Sequence, residues 1–125
     1  MKILLDTHVY IWWLMRSPKL SMEAIRRIES ADEVYVSSAS IWEASIKTGT
    51  GKLRADIDEL HREIAHNQFI ELPVTAQHAV TSSTLPPLHK DPFDRILVAQ
   101  AISEPLRLLT ADRRLGSYSD LVELL

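Results

Sequence analysis

The sequence predicts an α/β fold in which a central parallel sheet of four to five strands carries helices on both faces, a three-layer α/β/α arrangement. Short runs rich in Leu, Ile and Val alternate with longer stretches of helical length from one end to the other. Every interval between the strand-like runs is long enough for a crossover, which parallel neighbours require and hairpins do not. The chain has 125 residues, enough for one sizeable core and too few for two ordinary ones, so residues 1–125 are read as a single domain.

In chain order, "KILLD" is a short apolar run ending in a carboxylate and reads as a buried strand. "THVYIWWLMRS" follows, with Thr7 in the N-cap position and an apolar surface almost all round, so this helix is buried or shared with a partner. Pro18 ends it. "SMEAIRRIES" restarts with Ser21 as N-cap and turns Ile25 and Ile28 inward. "EVYVS" is the second strand, and "SASIWEASIKTG" is a helix that Gly49 closes in the left-handed position. "ADIDELHREIAHN" is amphipathic, with Ile57, Leu60 and Ile64 on one side. "FIELPV" is the third strand, and "TAQHAVTSSTL" is a short helix that fades into a loop at Pro86-Pro87. "DPFDRILVAQAIS" starts with Asp91 as cap and Pro92 at the first helical position. "LRLLTAD" is the fourth strand, and "RRLGSYSDLVELL" holds a short helix with room for a terminal strand.

Composition narrows the function. A chain 46% hydrophobic and 25% charged is that of a soluble globular protein. With no cysteine, disulfides and thiolate zinc sites are excluded. A net charge of −3 argues against a protein that coats nucleic acid through many phosphate contacts, while leaving room for one that grips a few locally. The apolar N-terminus is interrupted by Asp6 and His8 and lacks a small-residue cleavage site, so it fails as a signal peptide, and it is too short to span a bilayer. A cytoplasmic protein that does not engage membranes is expected.

In open parallel sheets, ligands bind beyond the carboxyl ends of the strands. Asp6 ends the first strand, and Asp112 lies just past the fourth. Glu43 is early in the helix after the second strand, off the stripe formed by Ile41, Trp42, Ser45 and Ile46. Asp94 is in the first turn of its helix, at helical spacing with Val98 and Ala101 on an apolar face. Each acid has an ordinary explanation when taken singly. Asp6 and Asp112 suit helix caps, Glu43 a solvated surface, and Asp94 the positive end of a helix dipole. Together they put four carboxylates from four distant segments on one edge. Such a group repels itself unless a cation intervenes, and oxygen ligands without Cys point to Mg²⁺ or Mn²⁺. A bound dication activates water and offsets charge on a leaving oxygen, so the chemistry expected is phosphodiester hydrolysis.

"ILLDTHVYIWWL", "VSSASIWEASIKTGTGKL", "HKDPFDRILVAQA" and "LLTADRRL" together resemble a PIN domain, specifically the VapC-like ribonuclease toxins of bacterial toxin–antitoxin pairs. The likeness covers nearly the whole chain in the family's order and spacing. It implies a PIN-like fold and a metal-dependent endoribonuclease with Mg²⁺ or Mn²⁺ as cofactor. Asp6, Glu43, Asp94 and Asp112 would then be both the catalytic and the metal-binding residues. It also implies a cognate VapB-like antitoxin that blocks the site, a homodimer, and contact with DNA only through the antitoxin. Thr7 and Thr110 match the family's small hydroxyl positions beside the first and last acids.

Bases border these acids in sequence. Lys47, Lys52 and Arg54 follow Glu43, Lys90 and Arg95 flank Asp94, and Arg113-Arg114 follow Asp112. They either hold an RNA backbone, with Thr7, Lys47, Arg95, Thr110 and Arg113 as the substrate-binding set, or form ordinary surface charge. Asp91 is read as a cap, and His8 and His89 as hydrogen-bonded structural residues. Trp12, Trp13 and Trp42 are read as core or partner-facing. A receiver domain needs adjacent acids near the first strand and a late Lys, and a haloacid-dehalogenase-like phosphatase needs a second Asp where His8 stands. The remaining alternative is a PIN-like module that binds RNA or a partner without cutting.

Overall fold

The computed structural model describes residues 1–125. Five strands, β1 (Lys2–Leu5), β2 (Glu33–Ser37), β3 (Ile70–Leu72), β4 (Arg107–Thr110) and β5 (Val122–Leu124), form one parallel sheet in the order β3-β2-β1-β4-β5. Six α-helices connect them: α1 (Thr7–Met15), α2 (Met22–Glu29), α3 (Ser38–Gly49), α4 (Ile57–His66), α5 (Ala76–Ser83) and α6 (Pro92–Ser103). A 3-10 helix at Arg113–Ser117 links β4 to β5. No helix is long and apolar enough to cross a membrane.

Alternation along the strands divides the core in two. Ile3, Leu5, Val34, Val36 and Leu109 face one side, where Val9 and Tyr10 of α1, Ala24 and Ile28 of α2, and Leu60 and Ile64 of α4 cover them. Leu4 and Leu108 face the other, against Leu97, Val98 and Ala101 of α6. Because both faces are covered, the strands read as continuous apolar runs. Each fully buried Leu contributes about 1.5–3 kcal/mol relative to an exposed one. Tyr10 is also buried, and its hydroxyl donates to the Leu60 carbonyl at 2.6 Å, which removes the cost of an unpaired phenol.

Three local expectations change. Thr7 is the first residue of α1, and Asp6 is its cap, with Oδ1 accepting from the Val9 amide at 3.1 Å. Gly49 ends α3 in helical conformation, while the left-handed backbone falls at Gly51 (φ +77°). The inward face of α3 is formed by Ala39, Ser40, Glu43 and Ala44, whereas Trp42 and Ile46 are exposed. The stripe of large apolar residues pointed outward, and the glutamate pointed in.

Candidate metal centre and active site

The strand order places the reversal of winding between β1 and β4. From β1 the chain builds outward through β2 to β3, then returns to lay β4 and β5 on the opposite side. Helices leave the two strands in opposite directions there, and in open α/β sheets ligands bind at such a point, beyond the carboxyl ends of the strands. Asp6 sits at that point. Its amide donates to the Leu109 carbonyl at 3.0 Å, tying it to β4. Oδ2 accepts from the Thr110 hydroxyl at 2.5 Å, and Oδ1 caps α1. Thr110 Oγ1 in turn accepts from the Asp112 amide at 3.0 Å. One hydroxyl therefore links the first and last acids. Burial pushes the Asp6 carboxyl above its ordinary range, and the Thr110 and Val9 hydrogen bonds oppose that push.

Asp94 arrives from a different direction. Asp91 caps α6, its Oδ1 accepting from the Phe93 and Asp94 amides, and Pro92 fixes the first turn. The Asp94 carboxyl is then largely buried, and burial raises its pKa to about 6; His89 lowers it by hydrogen bonding, and the charges of Asp91, Asp6 and Glu43 raise it further. Those neighbours locate it among the other predicted acids. His89 Nε2 lies 2.8 Å from Asp94 Oδ2.

Glu43 projects from the buried face of α3. Its Oε2 pairs with Lys47 Nζ at 2.8 Å, one turn on, while Oε1 is buried with no hydrogen-bond partner. The Thr7 hydroxyl donates to Ser40 Oγ at 2.9 Å, joining α1 to α3. Asp112 caps the 3-10 helix and pairs with Arg114, Nη2 to Oδ2 at 2.7 Å. That guanidinium holds its carboxyl below the usual range. Ligand-type atoms of His89, Asp94 and Asp112 all lie within 4.8 Å of one another.

The structure links Asp6 to Asp112 through Thr110 and sets Asp6 and Glu43 near enough to Asp94 for their charges to act on it, while the group at ligand spacing is His89, Asp94 and Asp112, without Asp6 or Glu43. An unpartnered carboxylate oxygen in a buried position is costly unless a cation or a donor satisfies it. Glu43 Oε1, together with two acids whose pKa burial raises, fits a hard dication held by oxygen ligands. His89 is the residue that sequence reasoning set aside. Its one visible signal was position, five residues before Asp94 in a Pro-rich loop.

The PIN domain family model matches residues 3–121. The chain belongs to the PIN-domain family. Ribonuclease VapC22 of Mycobacterium tuberculosis is 35% identical over 119 residues, covering 93% of this chain and 91% of that protein. Among solved structures, VapBC2 from Rickettsia felis bound to a promoter DNA fragment superposes with a TM-score of 0.71 at 15% identity, covering 100% of this chain and 98% of that one. A toxin–antitoxin complex from Klebsiella pneumoniae gives a TM-score of 0.67 at 19% identity, covering 97% and 95%. These likenesses show the fold that this PIN domain shares.

Residues expected to touch substrate fall into distinct places in this PIN domain. Thr7 and Thr110 are buried and hydrogen-bonded to site residues, Ser40 and Asp6. Lys47 is paired with Glu43, and Arg113 is exposed. Arg95 turns back on its own loop. Its Nη1 donates to Pro86 and its Nη2 to Ser82 and Leu85 carbonyls at 2.9–3.3 Å, and Tyr118 Oη accepts at 3.3 Å. A guanidinium so engaged orders the segment leading to Asp94.

Proposed function

We propose that this protein is a metal-dependent endoribonuclease that hydrolyses RNA phosphodiester bonds, and that it is the toxin of a type II toxin–antitoxin pair. The observation that carries the reading is the gathering of four carboxylates from distant segments at the switch point, with Glu43 Oε1 buried and unpaired. The VapC ribonuclease relative supports the choice of RNA over other phosphodiesters. Residues 1–125 act as one PIN-like domain. Asp6 and Asp94 hold the principal Mg²⁺ or Mn²⁺ ion, while Glu43 and Asp112 complete its surroundings or orient the attacking water. A bound dication makes its water a better nucleophile at neutral pH and offsets charge on the leaving oxygen. Thr110 keeps Asp6 in a fixed orientation through its hydroxyl, and Arg113, exposed beside Asp112, would meet the RNA backbone.

The same reading includes a VapB-like antitoxin, a homodimer, and DNA contact only through the antitoxin. Trp12, Trp13, Leu14, Leu20 and Ile25 line a groove together with Arg16, Glu29, Glu63 and Asn67, a mixed apolar and charged surface that would suit an amphipathic partner helix.

Cleavage by the purified chain in Mg²⁺ or Mn²⁺, abolished by EDTA, tests the proposal. Asp6→Asn is expected to lower cleavage by about a hundredfold or more with an unchanged circular dichroism spectrum, since Asn retains the oxygen that caps α1. Undiminished cleavage in that variant would sink the assignment. RNA binding without cleavage by the wild type would favour a non-catalytic binding module.

A further inference from the structure

We propose that His89 supplies a nitrogen ligand to the metal centre, beside Asp94 and Asp112, and biases that centre towards Mn²⁺ over Mg²⁺. The inference rests on the metal-dependent reading above and adds a donor that an acidic quartet lacks. Nε2 and Asp94 Oδ2 are 2.8 Å apart, and the atoms offered by His89, Asp94 and Asp112 lie within 4.8 Å of one another. Octahedral ions with ligands near 2.1 Å separate neighbouring ligand atoms by roughly 3 Å and opposed ones by about 4.2 Å. The His89–Asp94 pair already stands near the separation of neighbouring ligands, and the whole group lies close enough for small side-chain movements to bring it around one ion.

The fold mounts this histidine. Its carbonyl accepts from Arg95 Nη1 at 3.5 Å and from the Tyr118 hydroxyl at 3.3 Å, so α6 and the segment after β4 both anchor its backbone. Its side chain is only 11% exposed, on the same side as Asp94. A surface histidine that merely made one hydrogen bond would need no such support. As a ligand, Nε2 would present its lone pair to the ion, with the ring's N–H on Nδ1. Mg²⁺ strongly prefers oxygen, whereas a first-row transition ion gains from an imidazole nitrogen.

The test uses the full chain, stripped with EDTA and desalted, as wild type and as His89→Gln. Mn²⁺ alone and Mg²⁺ alone are titrated by calorimetry, and the Mn²⁺ complex is examined by pulsed electron paramagnetic resonance. The expected result is ¹⁴N coupling to Mn²⁺ in the wild type, its loss in the variant, and a drop of about tenfold in Mn²⁺ affinity with little change for Mg²⁺. Bound Mn²⁺ without nitrogen coupling in the wild type, coupling that survives in His89→Gln, or equal losses for both ions would overturn the role of His89 while leaving metal dependence standing. A wild type that binds neither ion would overturn both.

Discussion

Asp94 shows how one buried carboxyl ties function to stability. Burial raises its pKa to about 6, against 3.8 for the unfolded chain, with the nearby acids adding to the push and His89 opposing it. Between those two values the native protein holds a proton that the unfolded chain has released. Stability from this group is therefore greatest at low pH, falls as pH rises through that window, and stays low above it. In EDTA, the wild type is expected to lose about 1–2 kcal/mol relative to Asp94→Asn between pH 4 and pH 7.5, once solvent screening of this partly exposed group is allowed for. Denaturant unfolding of both proteins across that range checks this; a gap between them that does not widen with pH would contradict it. The same residue explains part of what the sequence concealed. Its helical register with Val98 and Ala101 marked it as inward-facing, and the structure agrees. Glu43 carried no such mark, because Trp42 and Ile46 beside it suggested the opposite face of α3.

At the scale of elements, the segment from α5 into α6 depends on Arg95. Its guanidinium collects carbonyls of Ser82, Leu85 and Pro86, of which Ser82 and Pro86 also accept from the Leu85 and Leu88 amides. Replacing it with Ala removes the ties that join these carbonyls to α6 and frees the loop that carries His89. Arg95→Ala is expected to cost about 2 kcal/mol of stability and to speed amide exchange across residues 82–91 more than in β1 or β4. Uniform exchange through the whole protein would mean that the residue supports the core instead. Sequence alone reads Arg95, a neighbour of Asp94, as either an RNA contact or ordinary surface charge, and local order cannot reveal that its donors turn back on their own loop. His89 was hidden for a related reason. Its place is decided by Tyr118, 29 positions later, and no local pattern carries that contact.

For the molecule as a whole, alternation of apolar runs and helical stretches made the parallel sheet legible, since each crossover had the length that parallel neighbours need. The order β3-β2-β1-β4-β5 was not legible, because several arrangements of five strands satisfy the same pattern. If the site holds an ion, folding and ligation are linked. Mn²⁺ at a hundredfold excess over its dissociation constant is expected to add about 2.7 kcal/mol of stability to the wild type and much less to Asp6→Asn, read as a rise in Tm. Equal rises in both would place the ion elsewhere. The sheet order also bears on biosynthesis. β1 emerges first yet lies between β2 and β4, and one whole side of it stays bare until residues 107–110 have been translated. Asp112 comes later still, so a nascent chain gains it only after Asp6, Glu43 and Asp94 have already been made.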